Sequence, residues 1–311
     1  MDAKIRIVYM GTPEFAVAGL QALVEHGKEV GAEVVAVVTM PDKPAGRGHQ
    51  MQFSPVKQYA MRVGLPVLQP EKLKDEGFVE ELRSYKADLQ VVTAFRMLPE
   101  VVWQMPRLGT FNMHASLLPQ YRGAAPINWA VIHGDKETGL TSFLLKHEID
   151  TGNILLQERF PIGEDETVGE LYDRLMAASA PMTLRTVEMI VKADREGKQV
   201  PATPQPEVAD LRPAPKIFKE TCAIDFTQSV EQIRNFVRGL NPYPAAWCHL
   251  DLGGQHYENV KVFRVAKAAS KEQKGHIVLP CGDGYVDLLE LQMPGKKRMD
   301  AKSLLNGLRI E

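Results

Sequence analysis

Apolar residues follow two different periods along the first 160 positions, and the alternation between them predicts the architecture. Ile5–Met10, Val34–Thr39, Asp88–Phe95, Thr110–Ala115, Leu140–Lys146 and Ile154–Phe160 are short apolar or alternating runs of the kind that form strands. Glu14–Glu25 and Lys72–Ser84 have helical spacing instead, and the first is framed by Pro13 near its start and Gly27 just past its end. Pro126 starts a short helix that runs through His133, and Gly134 ends it. Strands alternating with helices point to an α/β domain with a doubly wound, mostly parallel sheet. Thr167-Val168-Gly169-Glu170 predicts a capping box for a helix carrying Leu171 and Leu175, which Pro181 should kink or divide into a helical pair.

The periodicity disappears between Val200 and Pro215, where five prolines predict a semi-rigid linker. A boundary near residue 206 divides the chain into 1–206, a catalytic domain ending in the linker, and 207–311, a smaller C-terminal domain. The second part opens on a helix with Val230, Ile233, Phe236, Val237 and Leu240 on one face. A hairpin at Gly253-Gly254 follows, then strands His276–Leu279 and Tyr285–Met293, which suggest a small OB-like β-barrel.

Bulk properties narrow the function classes. A chain of 311 residues exceeds the roughly 100–200 of a single domain, and its 44% hydrophobic and 24% charged residues are ordinary for a globular enzyme. The start Met1-Asp2-Ala3-Lys4 lacks the features of a secretory signal, and no apolar run approaches the ~20 residues of a membrane span, so a cytoplasmic protein without membrane contact is expected. Cys222, Cys248 and Cys281 have neither disulfide nor zinc-ribbon spacing. The net charge of −2 gives no global attraction to nucleic acid, so any such partner must be held by local basic patches.

Chemistry concentrates at the end of one strand. Side chains alternate along Thr110–Ala115, so Asn112 and His114 share a face, and Ser116-Leu117-Leu118-Pro119 breaks the strand where open α/β sheets bind ligands. Asp150, in the polar His147–Gly152 connection, is expected at a turn facing the same end. An amide, an imidazole and a carboxylate suit acyl transfer to an amine. Asn112 and protonated His114 would donate to the developing oxyanion, and Asp150 would assist proton transfer. Each residue also has an ordinary reading, as a hydrogen-bonded strand end or an Asx turn. Gly11 stands alone in the first turn, which does not match a dinucleotide fingerprint.

Asn112-Met113-His114-Ala115-Ser116-Leu117-Leu118-Pro119, Tyr121-Arg122-Gly123, Pro126 and Asp150-Thr151-Gly152 together resemble the signature of the folate-dependent formyltransferases. Gly11–Phe15, Pro41–Gly48, Asn241–Pro244 and Gly295–Met299 resemble the branch of that family that acts on tRNA. The resemblance implies transfer of formyl from 10-formyltetrahydrofolate to the amino group of initiator methionyl-tRNA by a monomer that needs no metal. It assigns catalysis to Asn112, His114 and Asp150. It assigns folate contact to Ser116, Leu117, Leu118 and Pro119, with Phe95, Met97 and Leu98 on the pterin side. Lys43, Arg47, Lys296, Lys297 and Arg298 are the candidate tRNA contacts, and Lys216, Lys219, Arg234 and Arg238 form a further basic group. Arg96 stands where that branch carries glycine, and His49-Gln50 where more lysine is expected. A small-amine acceptor, a His114–His147–Asp150 metal site and a non-catalytic tRNA-binding protein are the competing readings.

Overall fold

A computed structural model describes residues 4–45, 50–271 and 274–308. Arg47 and His49 lie outside the described residues. In chain order the strands are β1 (Ile5–Gly11), β2 (Ala32–Val38), β3 (Lys43–Ala45), β4 (Gln50–Gln52), β5 (Val67–Leu68), β6 (Leu89–Thr93), β7 (Thr110–His114), β8 (Glu137–Leu144), β9 (Ile154–Pro161), β10 (Ala246–Leu252), β11 (Gln255–Lys267), β12 (Val278–Cys281), β13 (Gly284–Gln292) and β14 (Met299–Asp300). The helices are α1 (Glu14–His26), α2 (Pro55–Arg62), α3 (Glu76–Ser84), α4 (Glu100–Trp103), α5 (Pro126–Ile132), α6 (Val168–Arg195), α7 (Val230–Arg238) and α8 (Ala301–Leu308). One compact unit takes in the chain up to Arg122, Gly139–Arg159 and Asp173–Leu211. The second takes in Gly123–Thr138, Phe160–Tyr172 and the chain from Arg212 onward.

The first unit is built on a seven-stranded sheet in the order β5-β2-β1-β6-β7-β8-β9. Pairing is parallel from β5 to β7, and β8 runs antiparallel to β7. Strand order reverses between β1 and β6, so the crevice beyond their carboxyl ends is the topological switch point where such sheets bind ligands. All five residues of β6 are buried, as expected for a strand covered on both faces. Gly11 ends β1 beside Thr93, and a Cβ there would stand 2.5 Å from the Ala16 Cβ and 2.9 Å from the Thr93 carbonyl oxygen. This glycine therefore serves the close packing of α1.

Helix α6 departs from the expectation at Pro181. It is one helix of 28 residues rather than a helical pair. Proline removes one intrahelical bond, and hydroxyls nearby take up backbone carbonyls: Ser179 donates to Met176 O at 2.7 Å, Thr183 to Ser179 O and Thr186 to Met182 O, both at 2.8 Å.

The second unit carries a half-barrel of antiparallel strands in the order β10-β11-β13-β12, with β14 beside β13. Gly253 and Gly254 both have positive φ, 57° and 79°, and close the expected two-residue hairpin between Leu252 and Gln255. Helix α7 is fixed by a complete capping box of Ser229 and Gln232, and Ile233 and Val237 enter the core of this unit with Cys222 and Cys248. Burial pushes the Cys248 thiol up to about 12, as for an inert core thiol.

In the first unit, the fully buried Tyr9 hydroxyl donates to Ala16 O at 2.7 Å and lies 3.0 Å from the Thr93 hydroxyl. Tyr9→Phe leaves these groups without that partner, so urea unfolding should show a loss of about 1–2 kcal/mol; a variant as stable as the parent would show that the hydroxyl does not contribute.

Candidate active site

Strand β7 carries the two polar residues singled out by their alternation. Asn112 lies between Val92 on β6 and Phe143 on β8, and His114 lies opposite Thr141. The Asn112 Oδ1 is buried and has no hydrogen-bond partner. His114 is 7% exposed, and its Nε2 lies 2.9 Å from the Tyr121 carbonyl oxygen. A carbonyl can only accept, so Nε2 carries the proton and Nδ1 is the ring's remaining polar atom.

Phe143 draws the site together. It is fully buried, faces Asn112 across the strands, and presents its ring edge-on to His114 at 6.4 Å between centroids. A Cβ on Gly152 would meet the Phe143 ring at 3.3 Å and the Leu144 carbonyl oxygen at 1.5 Å. The connection carrying Asp150 thus lies tightly against Phe143 and Leu144.

The register places the Asp150 connection elsewhere than at the expected carboxyl end of β7. Leu144 pairs with Phe111, so the chain leaves β8 beside the amino end of β7, not its carboxyl end. The turn is tied elsewhere: Gln205 Nε2 donates to Asp150 O at 2.8 Å and Gly152 O at 2.9 Å, while Gln205 Oε1 accepts from Arg122. Arg122 follows Tyr121, the residue that holds His114. Asp150 itself has a left-handed φ of 52°.

The Ser116–Pro119 segment is a frame more than a lining. Thr141 Oγ1 donates to Ser116 O at 2.6 Å, Ser116 Oγ donates to Gln120 O at 2.7 Å, and Gln157 Nε2 bonds Leu118 O at 3.1 Å. Ser116, Leu118 and Pro119 are buried, and Leu117 is half-buried. At the carboxyl end of β6, Ala94 has a φ of 47°, Phe95 is half-buried and Leu98 is buried. Met97 is 71% exposed, an apolar, adaptable side chain presented where a ligand ring could pack. Arg96 turns away to the carbonyls of Pro70 and Glu71 and leaves a buried Nε without a partner.

Among the described residues, no three His, Cys, Asp or Glu side chains converge as metal ligands, and no helix is long and apolar enough to cross a membrane.

Two family models match, "Formyl transferase" over residues 3–187 and "Formyl transferase, C-terminal domain" over residues 216–309. The chain is 55% identical to a methionyl-tRNA formyltransferase of Bacteroides fragilis, covering 98% of this chain and 96% of that protein. The chain belongs to the formyl transferase family. Solved structures of similar fold include WlaRD, a sugar 3N-formyl transferase, with a TM-score of 0.65 at 17% identity, covering 95% of this chain and all of that one. HypX of Aquifex aeolicus in complex with tetrahydrofolic acid gives a TM-score of 0.60 at 18% identity, covering 97% of this chain and 47% of that one.

The basic residues of this formyl transferase separate into two groups. Lys43 is exposed on the β3–β4 hairpin, an element the sequence pattern did not predict. The hairpin is anchored by Lys57, whose ammonium pairs with Asp42 on the outgoing leg, bonds Gln69 Oε1 at 2.8 Å and sits 4.0 Å above the Phe53 ring on the returning leg. Lys57 and Gln69 hold the Asp42 carboxyl below its ordinary range. Lys296 and Lys297 are exposed before β14.

Arg298 is committed within its own unit. It forms a bidentate pair with Glu290 at 2.7 and 2.8 Å, bonds Asn241 at 3.3 Å and lies 4.1 Å above the Phe263 ring. Arg234 pairs with Asp165 and Glu231. The buried Arg238 bonds the carbonyls of Gly163 and Glu166, and burial lowers the pKa of its guanidinium. A charge count along the sequence could not separate these from the exposed lysines.

Arg298 holds the Glu290 carboxyl below the usual glutamate range. The stability this pair contributes is present above that range and is lost as pH falls through the depressed value. Glu290→Gln should therefore be less stable than the parent near neutrality, with the gap closing in urea titrations as pH falls below the ordinary glutamate range; a gap independent of pH would mean the charge contributes nothing.

Proposed function

We propose that this formyl transferase moves the formyl group of 10-formyltetrahydrofolate onto the amino group of methionine in initiator methionyl-tRNA. The observation that carries the reading is 55% identity, over nearly the full length of both chains, to a relative named for that reaction. The site chemistry supports it. The amine attacks the formyl carbon, the carbonyl oxygen takes up negative charge in a tetrahedral intermediate, and the bond to N10 of the folate breaks as the amide forms, the proton lost by the amine ending on N10.

Asn112 carries a buried Oδ1 without a partner, an acceptor suited to an N–H of the incoming amine, and its Nδ2 is the end that would donate to the oxyanion. An unpaired buried acceptor costs stability, and a substrate N–H that pairs it regains that stability. His114 already donates Nε2–H to Tyr121 O, so donation to the oxyanion through Nδ1 requires the doubly protonated ring. Asp150 supports that charge and helps remove the proton from the ammonium formed as the amine adds. Phe95, Met97, Leu98 and Leu117 offer apolar surface for the pterin, with Ser116, Leu118 and Pro119 holding the loop's shape. Lys43, Arg47, Lys296 and Lys297 are the proposed phosphate contacts, and Arg298 shapes the segment that presents the last two.

The reading is tested by mixing purified protein with labelled 10-formyltetrahydrofolate and methionyl-tRNA, with amino sugars as a parallel acceptor. Label should enter the tRNA; label in the sugars alone would replace this reading with a small-amine transferase. Asn112→Ala should lower turnover by about 10²–10³-fold, as for a lost oxyanion donor. A change under about threefold in a folded variant would remove Asn112 from the chemistry.

Lys43→Ala should raise KM for tRNA and make the slope of log affinity against log salt shallower by about 0.7–0.9, one phosphate contact. An unchanged slope would show that Lys43 touches no phosphate.

A further inference from the structure

We propose that Gln205, in the proline-rich segment, is a positioning residue for formyl transfer that acts by holding the backbone of the Asp150 turn. The inference rests on the reading of Asp150 given above. Its geometric basis is a side-chain amide used at both ends. Gln205 Nε2 donates to Asp150 O at 2.8 Å and to Gly152 O at 2.9 Å, bracketing Thr151, and Oε1 accepts from Arg122 Nε at 3.2 Å and Nη2 at 2.6 Å. The orientation of this amide is chemically fixed: guanidinium groups only donate and carbonyls only accept, so exchanging Nε2 with Oε1 would break all four contacts.

The turn requires such a hold. Asp150 occupies the left-handed region at φ 52°, which a non-glycine residue keeps only where its surroundings over-determine it. Within the connection, Thr151 Oγ1 donates to Glu148 O at 3.0 Å, and Leu144 N donates to Asn153 O at 2.9 Å. Gln205 adds two bonds from 53 and 55 residues away. Its own place is set by the Ile154–Thr203 bridge, with both backbone bonds made at 2.7 and 2.8 Å. Arg122 at the far end of the amide adjoins Tyr121, whose carbonyl takes the His114 proton. One chain of contacts thus links the imidazole and the carboxylate turn through residues that need not touch substrate.

The decisive variants are Gln205→Glu, which keeps the shape but sets a carboxylate oxygen against two carbonyls, and Gln205→Leu, which removes both ends. Each should lower kcat by about 10–100-fold, the scale of a group displaced by roughly 1 Å, while KM for donor and acceptor stays within about threefold. In an Asp150→Asn background the same changes should lower kcat by less than about twofold, because a turn without its carboxylate has nothing left to position.

A kcat within about threefold of the parent in both variants, or an undiminished loss in the Asp150→Asn background, overturns the proposal. If Asp150→Asn alone retains parental turnover, the reading of Asp150 fails instead. Amide hydrogen exchange at 148–153 then separates the two failures: Gln205→Leu should speed exchange there whatever Asp150 does, and unchanged exchange overturns the hold itself.

Discussion

The cross-strand register of β7 and β8 is the constraint on which the site depends. With Asn112 opposite Phe143 and His114 opposite Thr141, both polar side chains emerge on one face and the Phe143 ring stands between them and the Asp150 connection. Strand side chains alternate with period two, so a slip of one residue would turn Asn112 and His114 away and bring Phe111 and Met113 forward. The buried run of β8 and the fully buried Phe111 and Phe143 resist that slip, since it would expose large apolar surface. Packing in the sheet and geometry at the site are therefore set by the same residues.

Much of this was legible in the chain because the signals are local. The face shared by Asn112 and His114 follows from strand alternation, the Gly253-Gly254 turn from its φ requirement, and the absence of a second and third glycine after Gly11 from what a dinucleotide turn needs. Other features depend on partners far away in sequence. Nothing near Asp150 says that the chain leaves β8 at the wrong end of β7 and is fastened by Gln205, a residue without a motif of its own.

Charge shows the same division between count and context. Arg234, Arg238 and Arg298 look in sequence like members of basic patches, yet each is consumed by acids or carbonyls of its own unit. Lys57 is equally absorbed, bridging both legs of the hairpin that carries Lys43. A chain with net charge −2 that engages a polyanion must do so with locally clustered exposed cations, so the affinity it gains should depend strongly on salt. Arg234, Arg238 and Arg298, with planar forks suited to several partners at once, serve the scaffold, whereas Lys43, Lys296 and Lys297 face solvent.

Three of the six non-glycine residues with left-handed φ among the described residues lie in segments proposed for the chemistry. Ala94 follows β6, Tyr121 accepts from His114 through its carbonyl, and Asp150 lies in the connection packed against Phe143 and Leu144. Each such residue costs on the order of 1–3 kcal/mol, a sum that hydrogen bonds and packing elsewhere must offset. The tyrosine does so by full engagement, its side chain buried and its carbonyl accepting from His114. Asp150 is only half-buried, so its conformation rests more on the amide of Gln205 and on the tight seat of Gly152 against Leu144. For a carboxylate proposed to serve proton transfer, burial would disfavour the charged form, and fixing the backbone on either side is a way to set its position without that cost.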